Sequence, residues 1–167
     1  MVDIERARSL LSYDAESGLF HWKVDRGGRT KAGAIAGSAD SKGYIQIRLG
    51  EKMVLAHRLA WAFVFGDWPA GHLDHKDRNP KNNAVENLRL CTRVQNHQNT
   101  GVRADSTSGV TGVSWVKRNK KWLAYINHDG RRHRLGLYES KESAIAARLE
   151  AKRSLHDFHP YQDVPSA

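Results

Sequence analysis

Residues 72–98 read HLDHKDRNPKNNAVENLRLCTRVQNHQ, and two short apolar segments lie here on either side of a polar run. The run over residues 76–83 consists of Lys, Asp, Arg, Asn and Pro, which together are typical of loops and turns. Thr92 is followed by Gln95 three residues later, the spacing of a capping box at the start of a helix. The stretch therefore predicts a strand, a long loop, a second strand and a helix over about residues 72–100.

Several side chains in this stretch suit the hydrolysis of a phosphodiester bond. A neutral histidine such as His75 can take a proton from water near pH 7. One carboxylate and one amide carbonyl form a pair of hard oxygen donors suited to Mg²⁺ or Mn²⁺, and the stretch contains both groups. The alternative is structural, because Asp74 and His75 could belong to a turn, and Asn87 and Asn96 could satisfy backbone groups of the loop. The spacing by itself leaves both interpretations open.

The composition favours a polyanionic partner and excludes several kinds of site. The 167 residues include 27 Lys and Arg against 18 Asp and Glu, a net charge of +9, which points to nucleic acid. The positive charge is shared between residues 1–100 and residues 101–167, with one concentrated patch at residues 117–134. The single cysteine, Cys91, excludes an intramolecular disulfide and zinc sites built from paired cysteines. We expect no membrane span and no signal peptide, and therefore a cytoplasmic protein.

The residues before this stretch predict a small mixed α and β region. Asp3 is the expected N-cap of a short helix, and alternation of apolar and polar residues predicts a strand over residues 20–24. Residues 44–55 read as a hairpin with a short polar turn. Residues 57–64 are densely apolar and predict a buried helix, in which we expect His57 to have a scaffold role rather than a catalytic one.

The last third of the chain predicts a sheet packed on a helix. Residues 101–109 are small and polar and are expected to form a linker. Three strand candidates follow at residues 112–116, 122–127 and 132–138, and then Ser140 caps an alanine-rich helix. Alternation predicts that Leu137 and the other apolar strand residues cover this helix.

The opposite face of that sheet is the predicted DNA-binding surface. Its expected members are polar or basic: Ser114, Lys117, Tyr125, Asn127, Arg132 and Arg134. A twisted three-stranded sheet can enter the major groove, where Arg and Asn are suited to reading purine edges. The alternative is an ordinary solvated sheet face.

The central stretch resembles the HNH endonuclease family of phage and intron-encoded homing enzymes. The resemblance rests on Asp74, His75, Asn87, Leu88, Arg89, Thr92 and Asn96, together with residues 56–61 (AHRLAW). It implies a nuclease domain over residues 1–100 with a ββα-metal core at about 54–100. It further implies that Asp74 and Asn96 hold one divalent metal ion, Mg²⁺ or Mn²⁺. By the same resemblance His75 is the general base, and Asn87 braces the loop that presents it.

The C-terminal region resembles the plant apetala/ethylene-response-factor DNA-binding domain. The residues that carry this resemblance are Gly112, Val113, 121–124 (KWLA), 135–138 (LGLY), Ser143, Ala144, Ala146 and Ala147. It covers residues 110–160 and leaves residues 161–167 as a tail. Thr111, Ser114 and Tyr125 replace charged residues of that family, so the plant target sequence does not transfer.

Together these observations predict an α+β protein, a ββα-metal HNH nuclease module followed by a small three-stranded antiparallel sheet packed on one helix. The expected function is homing-type, site-recognising cleavage of double-stranded DNA in a bacterial or phage-infected host cell. One active site per chain favours a monomer that nicks. The alternative is a non-catalytic, sequence-specific DNA-binding protein that retains the nuclease scaffold. An RNA-binding protein is disfavoured because the Trp and Tyr residues are scattered.

Overall fold

A computed structural model describes residues 2–98, 102 and 106–156 of the chain. The chain divides into two compact units between Asn96 and His97. Helices and small antiparallel sheets occur together, which confirms the predicted α+β class. The predicted tail at 161–167 lies outside the described residues. Within the described ranges, no helix is both long enough and apolar enough to cross a membrane.

The first unit is built from short helices and antiparallel strand pairs. Its elements are α1 (Ile4–Leu10), β1 (Leu11–Tyr13), β2 (Phe20–Trp22), β3 (Ser38–Ala39), β4 (Ile45–Leu49), β5 (Lys52–Leu55), α2 (Ala56–Phe65), β6 (His72–His75), β7 (Leu88–Cys91) and α3 (Arg93–Gln98). Strand β1 pairs with β2, β3-β4-β5 form a second sheet, and β6 pairs with β7. The predicted order of strand, long loop, strand and helix is confirmed over β6, β7 and α3.

Local sequence determines where the first two helices begin and end. The Asp3 carboxylate accepts hydrogen bonds from the N–H groups of Glu5 and Arg6, which confirms it as the N-cap of α1. Helix α2 follows β5 directly and ends at Gly66, whose left-handed backbone allows its N–H to bond to the Ala62 carbonyl. Strand β5 therefore passes without a loop into the helix that carries His57.

The core of the first unit joins α2 to the sheets. Ile47 of β4 and Leu59 of α2 are both fully buried, and burying such side chains contributes about 1.5–3 kcal/mol each. Phe20 of β2 is also buried, and its ring packs edge-on against Phe63 with centroids 5.3 Å apart. Helix α2 is consequently packed against β4, and this packing positions the residues in the first turn of α2.

The second unit is a three-stranded antiparallel sheet with one helix. Its elements are β8 (Val113–Val116), β9 (Lys121–His128), β10 (Arg131–Tyr138) and α4 (Lys141–Leu155), with strand order β10-β9-β8. Ser140 is the N-cap of α4, as predicted, and accepts from the Ser143 N–H. Val113, Ala124 and Ala144 form the buried cluster between the sheet and the helix. The three predicted strands and the helix are confirmed.

A β-bulge changes which residues of β10 face the helix. Arg134 pairs with Tyr125, but Gly136 pairs with Ala124, so one extra residue is inserted between them. Beyond the bulge Leu137 lies opposite Leu123, on the face away from buried Ala124. The prediction that Leu137 covers the helix is therefore wrong, because strict alternation does not anticipate a bulge.

Two further residues of this region depart from the sequence-based picture. Lys117 lies in the turn after β8 and not on the strand face with Ser114, because pairing with β9 ends at Val116. Ser108 falls in the predicted linker, yet it is buried and its hydroxyl donates to the Val113 carbonyl at 2.7 Å. The folded second unit therefore includes part of the stretch expected to connect the two units.

Arg148 is a buried residue of α4 where the sequence pattern emphasised alanines. Its side chain passes over Gly112, which has a φ of +88°. A Cβ at Gly112 would collide with the Tyr125 carbonyl and with the Arg148 guanidinium. Glycine is required here by both the backbone conformation and the close approach of the arginine.

Candidate functional site

The hairpin formed by β6 and β7 carries the two central residues of the candidate site. Asp74 pairs with Arg89 and His75 pairs with Leu88, and Asp74 and His75 are each only 6% exposed. Pairing extends through His75, so the two side chains alternate between the faces of the hairpin. Each therefore has its own set of neighbours at the point where the strand enters the loop.

Asp74 is held by an ion pair from the neighbouring strand. The Arg89 Nε donates to Asp74 Oδ2 at 2.9 Å, and Nη2 lies 2.8 Å from the same oxygen. The arginine side chain is 19% exposed. A buried carboxylate without a compensating charge destabilises the folded state, and the Arg89 guanidinium supplies that charge.

His75 lies against two aromatic rings and a buried amide. Its ring is 5.1 Å from that of His57 and 5.9 Å from that of Tyr44, measured between centroids. Its Nε2 is 3.4 Å from Asn83 Oδ1. The Asn83 Nδ2 donates to the Lys81 carbonyl at 3.1 Å, which fixes the orientation of the amide and turns its oxygen towards the imidazole.

The environment of His75 favours a neutral imidazole. Burial lowers its pKa below the usual value, and this effect outweighs the contact with Asn83 and the nearby charges of Asp77 and Asp74, which raise it. Asn83 Oδ1 can only accept, so the pair is a hydrogen bond in the tautomer that carries its proton on Nε2. That tautomer has its lone pair on Nδ1, and a lone pair is what a general base requires.

Asn87 connects the two ends of the loop that follows β6. Its side-chain oxygen accepts from the Asp77 N–H at 3.0 Å, and its Nδ2 donates to Asp77 Oδ1 at 2.9 Å and to the Asn82 carbonyl at 2.8 Å. Burial opposes ionisation of Asp77, but hydrogen bonds from Asn79, Asn82 and Asn87 hold the pKa of its carboxyl below the usual range. The Asn87 amide and the Asp77 carboxylate therefore hold together the two ends of the loop between β6 and β7.

Asn96 lies on α3, the helix after β7. The predicted capping box is confirmed, because the Thr92 N–H donates to Gln95 Oε1 at 2.8 Å and the Gln95 N–H donates to Thr92 Oγ1 at 3.2 Å. The Asn96 N–H continues the helix by bonding to the Thr92 carbonyl, and its side chain is exposed. Its amide is thus presented to solvent one turn into α3.

The chemistry of the predicted metal donors fits a hard divalent cation. In the part of the chain that the structure describes, no group of three or more His, Cys, Asp or Glu side chains could hold a metal ion. Asp74 and Asn96 offer one carboxylate and one amide instead, and Mg²⁺ commonly takes one or two protein oxygens and fills its shell with water and phosphate. Cys91 is no competing soft donor, since its thiol is directed at the His72 carbonyl.

The predicted DNA-binding residues of the second unit largely share one face of its sheet. The strand partners on this face are Tyr125 with Arg134, and Asn127 with Arg132. The Arg132 guanidinium lies over the Tyr125 ring, 4.2 Å from its centroid. Ser114 joins this face through its pairing with Leu123. Five of the six predicted residues therefore lie together, and Lys117 is the exception.

Sequence reasoning predicted none of the contacts that four residues make with the central pair. Tyr44, His57 and Asn83 contact the His75 ring, and Arg89 pairs with Asp74. The pairing of Arg89 could have been anticipated from the hairpin register, since counting outward from the loop places it opposite Asp74. The other three come from distant parts of the chain or from an irregular loop, and no periodic pattern indicates them.

Comparison with known proteins gives two matches. Residues 54–98 match the family described as HNH endonuclease, and this range contains Asp74, His75, Asn87 and Asn96. The chain is also similar to Protein 3.8 of Escherichia phage T7, with 33% identity over 101 residues, which cover 60% of this chain and 83% of the relative. No solved structure matches the chain. The chain belongs to the HNH endonuclease family.

Proposed function

We propose that this protein is a site-recognising DNA endonuclease of the homing type, which nicks double-stranded DNA as a monomer with one divalent metal ion. HNH nucleases act on DNA and generally use such an ion. The observation that carries the proposal is the placement of His75: a buried imidazole that ends β6, directly after Asp74 in the chain and within the range that matches the family. A neutral imidazole at this place is suited to general-base catalysis.

In the proposed reaction His75 takes the proton of the attacking water. In the tautomer whose Nε2 donates to Asn83, Nδ1 is the nitrogen that receives the proton. Asn87 keeps the loop after β6 closed through its three hydrogen bonds and so maintains the approach to the histidine. We assign Asn87 to the catalytic machinery for this reason.

Asp74 and Asn96 are the proposed ligands of the metal ion. When bound, Mg²⁺ or Mn²⁺ supplies positive charge beside the scissile phosphate and the departing 3′ oxygen. Arg89 keeps the Asp74 carboxylate fixed in orientation through two contacts to the same oxygen.

The second unit is the proposed DNA-binding domain, similar to the apetala/ethylene-response-factor type over residues 110–160. Support comes from the exposed basic and polar face that contains Arg132, Arg134 and Asn127, opposite the face covered by α4. Arginine and asparagine on a sheet face are suited to base edges in the major groove. The proposed division of labour is cleavage by residues 1–100 and placement by this domain.

The decisive experiment is a nicking assay on supercoiled DNA with a randomised insert. The protein is expected to convert supercoiled DNA to the open circle with Mg²⁺ or Mn²⁺ and to stop in EDTA. His75→Ala should lose cleavage and keep its affinity for DNA, whereas His72→Ala, an exposed histidine on the same strand, should cleave normally. Cleavage by His75→Ala, or cleavage in EDTA, would overturn the mechanism. Binding without cleavage by the unaltered protein would favour the non-catalytic alternative.

A further inference from the structure

Two leucines lie in the middle of the sheet face that carries the predicted DNA-binding residues. Leu123 of β9 and Leu137 of β10 are direct strand partners, on the face turned away from buried Ala124. Ser114 of β8 pairs with Leu123 from the other side. The three side chains therefore form one row across the sheet, which we call the leucine row.

The two leucines do not belong to the core of the second unit. That core lies on the opposite face, where Leu135 and other residues of the sheet pack with Ala144 of α4. Leu123 and Leu137 stay partly exposed on their own face. The bulge in β10 explains this arrangement, because it turns Leu135 to the core and Leu137, two residues later, to the other side. Packing of the sheet on the helix therefore does not account for a pair of leucines at this place.

Basic side chains border the leucine row on both sides. The next row in one direction joins Tyr125 to exposed Arg134, and the Arg132 guanidinium lies over the Tyr125 ring. In the other direction is Lys121, whose ammonium lies 3.4 Å from a carboxylate oxygen of Glu139 in an exposed ion pair. A protein or lipid partner generally meets a larger apolar patch than two leucines provide. A small apolar area between cationic groups instead suits a polyanion that presents a small apolar group of its own.

Double-stranded DNA has such a group in its major groove, the C5-methyl group of thymine. We propose that Leu123 and Leu137 contact the C5-methyl group of a thymine in the major groove of the target DNA. This inference rests on the proposed function of the second unit as the DNA-binding domain. 5-Methylcytosine carries the same methyl group, but beside it stands an amino donor where thymine has the acceptor O4. Arg134 in the adjacent row offers only donors, which favours thymine.

The spacing of the rows predicts where this thymine lies in the target. Neighbouring rows on one face are two residues apart, which is about 7 Å along a strand. Successive bases of one DNA strand are about 3.4 Å apart along the helix axis. We therefore expect the thymine within about two base pairs of the base that Arg134 contacts.

The first experiment removes the methyl group from the DNA. The full-length protein in EDTA selects duplexes from a randomised pool, and each thymine of the selected site is then replaced in turn by uracil, which lacks only the methyl group. At one position the dissociation constant, measured by fluorescence anisotropy, should rise by about fourfold, the effect of one apolar carbon. At that position 5-methylcytosine paired with guanine should bind more weakly than thymine paired with adenine. Binding of 5-methylcytosine as tight as that of thymine would overturn the assignment to thymine.

The second experiment removes the leucines from the protein. Leu123→Ala and Leu137→Ala should each weaken binding to the thymine duplex and lower the ratio of the uracil to the thymine dissociation constant to about 1. The matched control is Leu149→Ala, which removes a leucine that is 39% exposed on α4 and should keep the fourfold ratio. The ratio compares two duplexes with one protein sample, so partial unfolding of a variant does not change it. If an alanine variant does not fold, the glutamine variant at the same position, which keeps the length of the side chain, replaces it.

Four results would overturn the inference. The selected site could contain no thymine, or uracil could bind as tightly as thymine at every position. The leucine variants could keep the same uracil-to-thymine ratio as the unaltered protein. Finally, the variants could bind DNA normally and differ only in sedimentation coefficient, which would make the leucine row an interface between copies of this chain.

Failure of this inference differs from failure of the proposed function. If the unaltered protein selects no site and does not nick supercoiled DNA, the proposed function fails. If the protein selects a site and nicks it, but uracil binds as tightly as thymine, the site-recognising endonuclease stands and only the thymine contact is lost.

Discussion

Arg89 and Asp74 meet across the β6–β7 hairpin with two guanidinium nitrogens on a single carboxylate oxygen, Nε at 2.9 Å and Nη2 at 2.8 Å. The register makes them direct cross-strand partners, so the contact needs no long-range folding event beyond closure of the hairpin. Asp74 is almost fully buried. Asp74, the proposed metal ligand, is therefore also one partner of a structural ion pair. Its contribution to stability can be measured separately from any role in metal binding.

Arg89→Ala should destabilise the protein by roughly 3 kcal/mol, because a buried carboxylate loses its compensating charge. The measurement is denaturant unfolding of the metal-free protein at pH 7. In a double-mutant cycle, Arg89→Ala in the Asp74→Asn background should cost much less than in the unaltered protein. Lys31→Ala, which removes the exposed ion pair with Asp25, should cost at most about 1 kcal/mol. Equal effects of the Arg89 and Lys31 substitutions would contradict the structural role of the buried pair.

The stability of the protein should fall between pH 6.5 and pH 4 because of His57. In the folded state its pKa is lowered to about 4 from 6.5, so the unfolded chain binds the proton more readily in this window. The contribution is fully present above pH 6.5 and is lost as the pH falls through the folded-state value. By pH 4 the loss amounts to about 3 kcal/mol. The measurement is the free energy of unfolding at a series of pH values from 7 to 4.

His57→Phe serves as the control for this pH dependence. It cannot bind the proton in either state, so its stability curve should be flatter than that of the unaltered protein between pH 6.5 and pH 4. Part of the slope should remain, because burial also lowers the pKa values of His75 and His156. Parallel curves for the two proteins would show that His57 does not titrate in this window.

The elements that sequence analysis predicted well are those with local signals. The capping box at Thr92 and Gln95, and the N-caps at Asp3 and Ser140, each depend on residues within one turn. The loop after β6 was evident from its Asn and Pro content. The HNH motif could be recognised because its polar residues are spaced by that same local structure.

What the sequence could not predict depends on register and on tertiary contact. Leu137 changed face because of one inserted residue at the bulge, and no residue type marks that insertion in advance. His57 looked like a scaffold residue of an apolar helix, and its contact with His75 appears only when α2 and β6 are placed side by side. Buried Arg148 was missed because alanines dominate the pattern of α4.

Arg132 and Arg134 should dominate the affinity of the second unit for DNA. Replacing either by alanine should weaken binding to a selected target by about 1–3 kcal/mol, because each can donate to base edges or phosphate. The measurement is a fluorescence anisotropy titration at several salt concentrations. A residue that contacts phosphate should also reduce the salt slope by about 1. Arg132→Lys should also weaken DNA binding, because the planar guanidinium that lies over the Tyr125 ring is lost.

The control for this prediction is Arg153→Ala. Arg153 is an exposed residue in the last turn of α4, the helix that covers the other face of the sheet. Arg153→Ala removes the same positive charge as Arg132→Ala and Arg134→Ala, so a general electrostatic effect would weaken DNA binding equally in all three variants. Equal losses would argue against a dedicated DNA-binding face.

Asn87→Ala should open the loop that follows β6 while leaving the hairpin intact. The substitution removes the acceptor of the Asp77 N–H and both donors, one to the Asp77 carboxylate and one to the Asn82 carbonyl. We expect the nicking rate to fall by about 10²-fold, because the loop would no longer hold the approach to His75 in one conformation. The exchange protection of the Asp77 amide should be lost, because that amide bonds to the Asn87 side chain alone among the described contacts. The Lys76 amide, which bonds to the backbone carbonyl of residue 87, should stay protected and is the internal control. Full activity together with an exchanging Asp77 amide would show that the closed loop is not needed for cleavage.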